Sequence, residues 1–236
     1  MLSQEFLITR GYCCGHGCLM CPYEPKHTKG NTKLMDDSYG KAKELDTKIL
    51  IVCALEAETQ EQLPDYEVLY TGVGKVNATL KLTRKFGKHG SHIPYDFVIN
   101  YGTAGSRKVK KKTLVDCTKF IQRDMDVTGL GFMRGETPFE KEPPLMLETN
   151  CEFNPIGRNA TCGTGDCFVE DKSQYYGEVV DMEAYALAKV CYHYDVPFIS
   201  FKYITDGADE QAHEDWEENL ADGIKVFKEK VLAFLS

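Results

Sequence analysis

From Lys48 onward the hydrophobic positions of the chain switch repeatedly between two periods. Residues 48–54, Lys-Ile-Leu-Ile-Val-Cys-Ala, form the near-continuous apolar run that a strand buried on both faces requires. Residues 67–71 suit a short strand. Gly72-Val73-Gly74 then opens a helix through Phe86, with Val76, Leu80 and Thr83 at helical spacing. Residues 96–101 predict another strand, ended by Gly102, and residues 114–121 and 160–169 predict two more. A helix follows the Met182-Glu183 junction, runs to about Tyr194 and stops before Pro197. Residues 199–206 are rich in β-branched and aromatic side chains and end abruptly in Thr205-Asp206-Gly207. A last amphipathic helix carries Trp216, Leu220, Ile224, Phe227 and Val231 as a core-facing stripe. This alternation predicts an α/β fold: a three-layer αβα sandwich whose central sheet is mixed, largely parallel, and covered by helices on both faces.

The first 47 residues follow a different pattern and divide the chain into an extension, 1–47, and a globular domain, 48–236. Four of the ten cysteines, Cys13, Cys14, Cys18 and Cys21, crowd into Gly-Tyr-Cys-Cys-Gly-His-Gly-Cys-Leu-Met-Cys. Thiolates at this density suit zinc or an iron–sulfur cluster. Adjacent Cys13 and Cys14 do not easily share one ion, which brings His16 or a donor elsewhere into the set. Buried thiols without metal and a redox role are the alternatives. Residues 24–46 are polar, with little apolar periodicity, and read as a connector with a short helix near 39–44.

Composition narrows the function. A net charge of -8 argues against general nucleic-acid binding, which needs a basic face. The basic run at 107–112 reads as a solvated loop, with an anion or partner contact as the alternative. No apolar run reaches the roughly 18 residues needed to cross a membrane, and no secretory signal is evident. Together with cysteines read as reduced thiols or metal ligands, this gives a cytoplasmic expectation. The candidate chemistry lies in three acids at three strand ends: Glu58 after the first strand, Glu183 at a strand-to-helix junction and Asp206 after the last strand. Open α/β sheets place their ligands at such ends. Taken singly, the same residues have plainer readings. Glu56 and Glu58 suit the polar start of a surface helix, Met182 and Phe168 suit core positions, and Asp181 and Asp209 suit helix caps.

Six segments, in order, are Cys-Ala-Leu-Glu-Ala-Glu, Thr-Gly-Val-Gly-Lys-Val-Asn-Ala-Thr, Val-Ile-Asn-Tyr-Gly-Thr-Ala-Gly-Ser, Cys-Gly-Thr-Gly-Asp-Cys-Phe-Val, Val-Val-Asp-Met-Glu-Ala-Tyr-Ala and Tyr-Ile-Thr-Asp-Gly-Ala-Asp. Together they resemble the nucleoside phosphorylase superfamily over 48–236, and most closely its 5'-methylthioadenosine/S-adenosylhomocysteine nucleosidases. The resemblance implies hydrolysis of a purine N-glycosidic bond through an oxocarbenium-like sugar. In that scheme Asp206 protonates the leaving purine as general acid, and Glu58 is the base for the attacking water, with Thr103 and Lys202 as neighbours. Glu183 binds the ribose hydroxyls, with Met182 packed on the sugar. Phe168 stacks on the base and Val169 reads its edge, with Thr205 beside the acid. No cofactor takes part in that step. The partners implied are a small purine nucleoside and a second copy of the chain as a homodimer, with no nucleic acid or membrane, and methionine salvage as the setting.

Some positions depart from that pattern. Lys202 stands where the bacterial nucleosidases usually carry Arg, and Thr103 where they carry Ser. Only residues 59–70 separate Glu58 from the Thr-Gly-Val-Gly segment, where family members usually insert a hairpin. Asp126 and Phe132 are kept in the segment that borders the 5' pocket. A phosphorylase needs a basic loop after the first strand, but that place holds Glu56 and Glu58, so hydrolysis is favoured. A phosphorylase, or a nucleoside-binding protein without turnover, is the alternative.

Overall fold

Side-chain alternation sets the layers around the first strand, β1 (Ile49–Cys53). Leu50 and Val52 face one helical layer, while Ile51 and Cys53 face the other. The computed structural model describes residues 12, 13, 15, 21–33, 47–90, 93–140, 145–149 and 151–235. They fall into two compact units, Met1–Thr47 and Lys48–Ser236.

In the second unit β1 is followed by a single turn of helix, α1 (Glu56–Thr59), then β2 (Glu67–Tyr70), α2 (Lys75–Gly87), β3 (Phe97–Gly105), β4 (Leu114–Gln122), β5 (Met146–Glu148), β6 (Ala160–Thr164), β7 (Val179–Asp181), α3 (Ala184–His193), β8 (Phe198–Asp206), α4 (Ala212–Asn219) and α5 (Gly223–Lys230). The sheet has eight strands. β2, β1, β3 and β8 run parallel to one another, β4 lies antiparallel to β8, and β6 and β7 run parallel to β4. β7 then meets β3 at a single antiparallel pair, Gly105 with Val180. The sheet is therefore mixed, and five of its strands close on themselves. That closure brings the last residues of β3, β7 and β8 together.

Ala78, Leu82 and Phe86 of α2 and Leu187, Val190 and Cys191 of α3 cover one face of the sheet. Ile224, Phe227 and Val231 cover the other, against Ile99, Tyr101, Ile199 and Phe201. Helices on both faces make the three layers. Burying a side chain of this size stabilises the fold by about 1.5–3 kcal/mol.

Four expectations need correction. The Val76, Leu80 and Thr83 spacing marks a helix but not its core face: Val76 is 75% and Leu80 43% exposed, whereas Leu82 and Phe86 are fully buried. β3 runs through Gly102 to Gly105 because its glycines lie in the paired register with β8. β6 stops at Thr164, where the backbone turns so that the carbonyls of Gly165 and Cys167 meet the Arg123 guanidinium. The final helix is two helices joined by a 3-10 turn, Leu220–Asp222. Asn219 is buried and donates to Thr205 O (2.9 Å), which ties α4 to β8. α5 then starts at Gly223, where a Cβ would stand 2.6 Å from the Tyr101 hydroxyl.

The basic loop is exposed apart from Val109, and Lys111 pairs with Asp215 at 2.6 Å. The short helix expected at 39–44 lies outside the described residues. Among the described residues no helix is long and apolar enough to cross a membrane.

Candidate active site

A cavity of about 270 Å³ opens where β1, β3, β7 and β8 end. Glu58, the third residue of α1, lines it. Its carboxylate reaches back to the start of its own helix, as the acid of a capping box does: Oε2 accepts from Ala54 N (3.2 Å) and Leu55 N (3.0 Å). Oε1 accepts from Thr103 N (2.9 Å) and Thr103 Oγ1 (3.1 Å), and Trp216 Nε1 donates to the same hydroxyl at 3.1 Å. The surface-helix reading of Glu56 and Glu58 therefore holds for Glu56 only, since Glu58 is 4% exposed. Gly102 makes room for this arrangement. A Cβ there would lie 3.2 Å from Glu58 Oε1 and 3.3 Å from Lys202 Nζ.

At the end of β8 a bulge sets the acid. Ala104 pairs with Ile204 but Gly105 with Asp206, so Thr205 is the extra residue. Thr205 does not line the cavity. Its hydroxyl donates to Asp206 Oδ2 (2.8 Å), and Ala208 N donates to Oδ1 (2.9 Å). A Cβ at Gly105 would collide with Asp206 Oδ1, so the bulge needs glycine opposite the acid. Burial pushes the Asp206 carboxyl above the ordinary aspartate range. The two bonds to it oppose that shift, and the charges of Asp215 and Asp209 add to it.

The turn after β7 carries two more acids. Asp181 caps α3, accepting from Ala184 N (2.8 Å) and Glu183 N (3.2 Å), and Thr164 Oγ1 donates to it at 2.5 Å. Lys202 Nζ lies 2.8 Å from Asp181 Oδ2, with both side chains 1% exposed. Burial opposes the Asp181 charge, but the Lys202 ammonium holds its carboxyl below the usual range. Burial pulls on Lys202 too, and Asp181 outweighs it, so the ammonium titrates above an ordinary lysine. Glu183 has no cation at ion-pair distance among the described residues, and the Lys202 charge offsets only part of its shift. Its Oε1 accepts from Gly74 N at 2.8 Å, and burial with the nearby Asp181 charge pushes its carboxyl up to about 8.

Of the residues singled out in the sequence, Asp206, Glu58, Thr103, Glu183, Met182, Phe168 and Val169 line this one cavity. Phe168 is 41% exposed, so it is a wall of the cavity and not core. Lys202 lies behind the wall, within the ion pair. Asp126 and Phe132 are not among the lining residues; Asp126 accepts from Thr128 N and Oγ1 instead. Asp209 accepts from Gln211 N (3.1 Å) in the turn before α4, which has no side-chain cap, so the cap reading of Asp209 does not hold.

Among the lining residues that the sequence reading did not assign to the site are Trp216, Arg123 and His213. Trp216 was placed in a core stripe, yet its indole lies at the cavity. Arg123 sits in the Arg-Asp-Met-Asp segment and is 1% exposed without a carboxylate partner among the described residues. Its four terminal N–H groups go to Cys167 Sγ (3.2 Å), Gln174 O (3.4 Å), Gly165 O (3.3 Å) and Cys167 O, and its Nε has no partner. The guanidinium thus clamps the 165–174 loop that presents Phe168 and Val169. Its only sequence signal was an arginine directly after a buried strand.

Among the described residues no three His, Cys, Asp or Glu side chains gather as a metal site requires. Of the four clustered cysteines, Cys13 and Cys21 belong to the first unit, while Cys14 and Cys18 lie outside the described residues.

The family model of the Phosphorylase superfamily matches residues 65–236. The chain belongs to that superfamily. A curated member from Marinomonas sp. (strain MWYL1), 5'-methylthioadenosine/S-adenosylhomocysteine nucleosidase, is 28% identical over 175 residues, covering 66% of this chain and 74% of that one. The Helicobacter pylori nucleosidase of the same name, solved with an aminopyrrolopyrimidine-bearing pyrrolidinol, superposes with a TM-score of 0.66 at 25% identity, covering 75% of this chain and 93% of that one. The Streptococcus pneumoniae nucleosidase, solved with a transition-state inhibitor, shares the fold at a TM-score of 0.67 and 21% identity, over 79% of this chain and 97% of that one.

Proposed function

We propose that this superfamily member hydrolyses the N-glycosidic bond of a purine nucleoside such as 5'-methylthioadenosine or S-adenosylhomocysteine, releasing adenine. One observation carries the reading: a single cavity holds two buried carboxyl groups in different settings, Asp206 at the end of β8, whose affinity for a proton burial raises, and Glu58, gripped by four donors. The names of the relatives support it. Asp206 donates its proton to the leaving base, which lies between the Phe168 ring and the Val169 backbone. Glu183 has one oxygen on Gly74 N and turns the other to the ribose hydroxyls, with Met182 against the sugar.

Glu58 activates the water. A carboxylate has about four acceptor positions, and all four are taken. Three of the donors are backbone amides that cannot leave. The Thr103 hydroxyl is a rotor and gives way to the water while its own amide holds the carboxylate. Lys202 keeps the floor of the site neutral through Asp181 and does not touch the water.

Water rather than phosphate is the nucleophile in this reading. A phosphate would face Glu58, and the guanidinium among the lining residues, Arg123, spends its terminal N–H groups on the 165–174 loop. The test is adenine release from methylthioadenosine, adenosylhomocysteine and adenosine with and without phosphate. Release at equal rates without phosphate is expected. Release only with phosphate, giving ribose 1-phosphate, moves the chain to the phosphorylase branch, and binding without release makes it a nucleoside-binding protein.

We further infer a homodimer acting in the cytoplasm, in methionine salvage. Val73, Val76 and Leu80 are spaced three and four residues apart along one exposed face beginning at the cavity, since Val73 also lines it. A second copy of the chain is the occupant that symmetry favours for such a face. Val76→Glu with Leu80→Glu is expected to halve the mass measured by light scattering, and an unchanged mass places the contact elsewhere.

A further inference from the structure

The indole of Trp216 lines the cavity and is also the outer end of a hydrogen-bond chain that the nucleosidase reading does not use. Its Nε1 donates to Thr103 Oγ1 at 3.1 Å, and that hydroxyl donates to Glu58 Oε1 at 3.1 Å. Chemistry fixes the direction of the chain. An indole nitrogen only donates, whereas a threonine hydroxyl has one hydrogen and two lone pairs. With one lone pair taken by Trp216, the hydroxyl hydrogen is left to Glu58 Oε1. That oxygen is an acceptor, as its bond from Thr103 N at 2.9 Å shows.

The helix that carries the indole is tied down on both sides of it. Trp216 lies in the middle of α4, and Asp215, one residue earlier, pairs with Lys111 at 2.6 Å. Three residues later, the buried Asn219 donates to Thr205 O (2.9 Å) and to Asp215 O (2.8 Å). Ala212, at the start of the helix, is fully buried. One helix therefore reaches both carboxyls: Glu58 through Trp216 and Thr103, and Asp206 through Asn219 and Thr205, whose hydroxyl donates to the acid.

We propose that Trp216 is a positioning residue for the attacking water, acting through the Thr103 hydroxyl; the inference rests on the hydrolysis reading above. When water takes the place of the hydroxyl hydrogen on Glu58, the bond from the indole stays, so the hydroxyl turns without leaving the edge of the cavity. It then has its hydrogen and its second lone pair for the water. Without the indole N–H both lone pairs are open, and the hydroxyl is free to turn its hydrogen away from Glu58 and from the water. That loss of orientation burdens the attack of water and not the binding of the nucleoside, so it belongs in kcat.

An indole packed against protein usually finds a partner for its N–H, and such a bond by itself only steadies the helix. Coupling separates the two roles. A positioning bond loses its effect once residue 103 has no hydroxyl to aim. A bond that steadies α4 acts on the fold, and its loss is felt whatever side chain stands at 103.

The experiment combines magnetic resonance with the kinetics of adenine release from methylthioadenosine, all on the full chain. The chain has a single tryptophan, so its indole N–H gives one side-chain signal in a nitrogen–proton correlation spectrum. Thr103→Val is expected to move that signal, and an unmoved signal would overturn the bond. Trp216→Phe keeps an aromatic ring and loses the N–H. It is expected to lower kcat by about threefold to tenfold with KM within about twofold of the parent. In a Thr103→Val background the same substitution should change kcat by less than about twofold, and in Thr103→Ser, which keeps the hydroxyl, its full effect should return. An unchanged kcat in Trp216→Phe, or an equal fall in the Val and Ser backgrounds as misfolding would give, overturns the role. A rise in KM alone overturns it too and makes the ring a substrate contact. A parent that releases no adenine brings down the hydrolysis reading itself, and the signal of the indole tells that outcome apart from a failure of the bond.

Discussion

Lys202 and Asp206 lie four residues apart on β8 and occupy opposite electrostatic worlds. In the middle of the strand, Lys202 meets Asp181 at 2.8 Å, and each charge is neutralised by the other in a dry interior. At its end, Asp206 has a hydroxyl and an amide for partners and no cation in contact, so burial raises its carboxyl above the ordinary aspartate range. The same strand thus carries a neutralised ion pair at its middle and, at its end, a carboxyl whose affinity for a proton is raised. Both acids are buried, and the cation in contact with Asp181 is what reverses the direction in which its carboxyl is shifted.

Asp206→Asn sharpens this contrast most. It keeps the shape and removes the proton donor, so kcat for adenine release is expected to fall by about 10²–10⁴-fold. Stability at pH 7 should be unchanged or slightly higher, since Asn never bears the buried charge. A variant that unfolds instead would make Asp206 a structural residue.

Lys202→Met reverses the pattern. Breaking a buried pair strands the Asp181 charge and is expected to cost about 3–5 kcal/mol in denaturant unfolding. Adding Asp181→Asn should recover much of that loss. A single variant as stable as the parent would show that the other donors to Asp181, Thr164 Oγ1, Cys162 Sγ and the Glu183 and Ala184 amides, suffice.

Glu183, two residues from Asp181, tests the role of the cation by pH. Its carboxyl titrates near 8 in the folded protein, against 4.5 as its ordinary value. Between those values the folded chain holds a proton that the unfolded chain has released. Stability therefore falls as pH rises through that window. Glu183→Gln removes this slope, and its melting temperature relative to the parent should climb from pH 5 to pH 8. Parallel curves for the two proteins would mean that Glu183 is ionised throughout.

The smallest effect concerns Arg123. Lysine cannot reproduce the planar fork that spans the 165–174 loop. Arg123→Lys is expected to raise KM by about threefold to tenfold, corresponding to ~1 kcal/mol of loop ordering, with kcat nearly unchanged. An equal fall in kcat with KM constant would place the guanidinium on the reacting atoms.

Much of the site was legible because acids at strand ends are a local signal. Glu58, Glu183 and Asp206 each follow an apolar run, and all three line one cavity. Other features were hidden for specific reasons. α2 carries two apolar stripes of the same period, Val76 with Leu80 and Ala78 with Leu82 and Phe86. Only the packed sheet shows which is buried. Trp216 shares the spacing of Ile224 and Phe227, but the 3-10 turn at Leu220 breaks the helix and leaves the indole at the cavity. Thr205 reads as a site residue by its place beside Asp206, and the bulge turns its hydroxyl onto the acid.

The sequence by itself determined the order of strands and helices, the division at Lys48 and the acids available for chemistry, because periodicity and strand-end residues are properties of short stretches. The tertiary structure decided which charge is neutralised, which acid is shifted upward by burial, and which arginine holds the loop. Those outcomes depend on contacts across long sequence separations, such as Gly105 with Val180 and Lys202 with Asp181. Burial and charge pairing act over a few ångströms in space, whatever the distance along the chain.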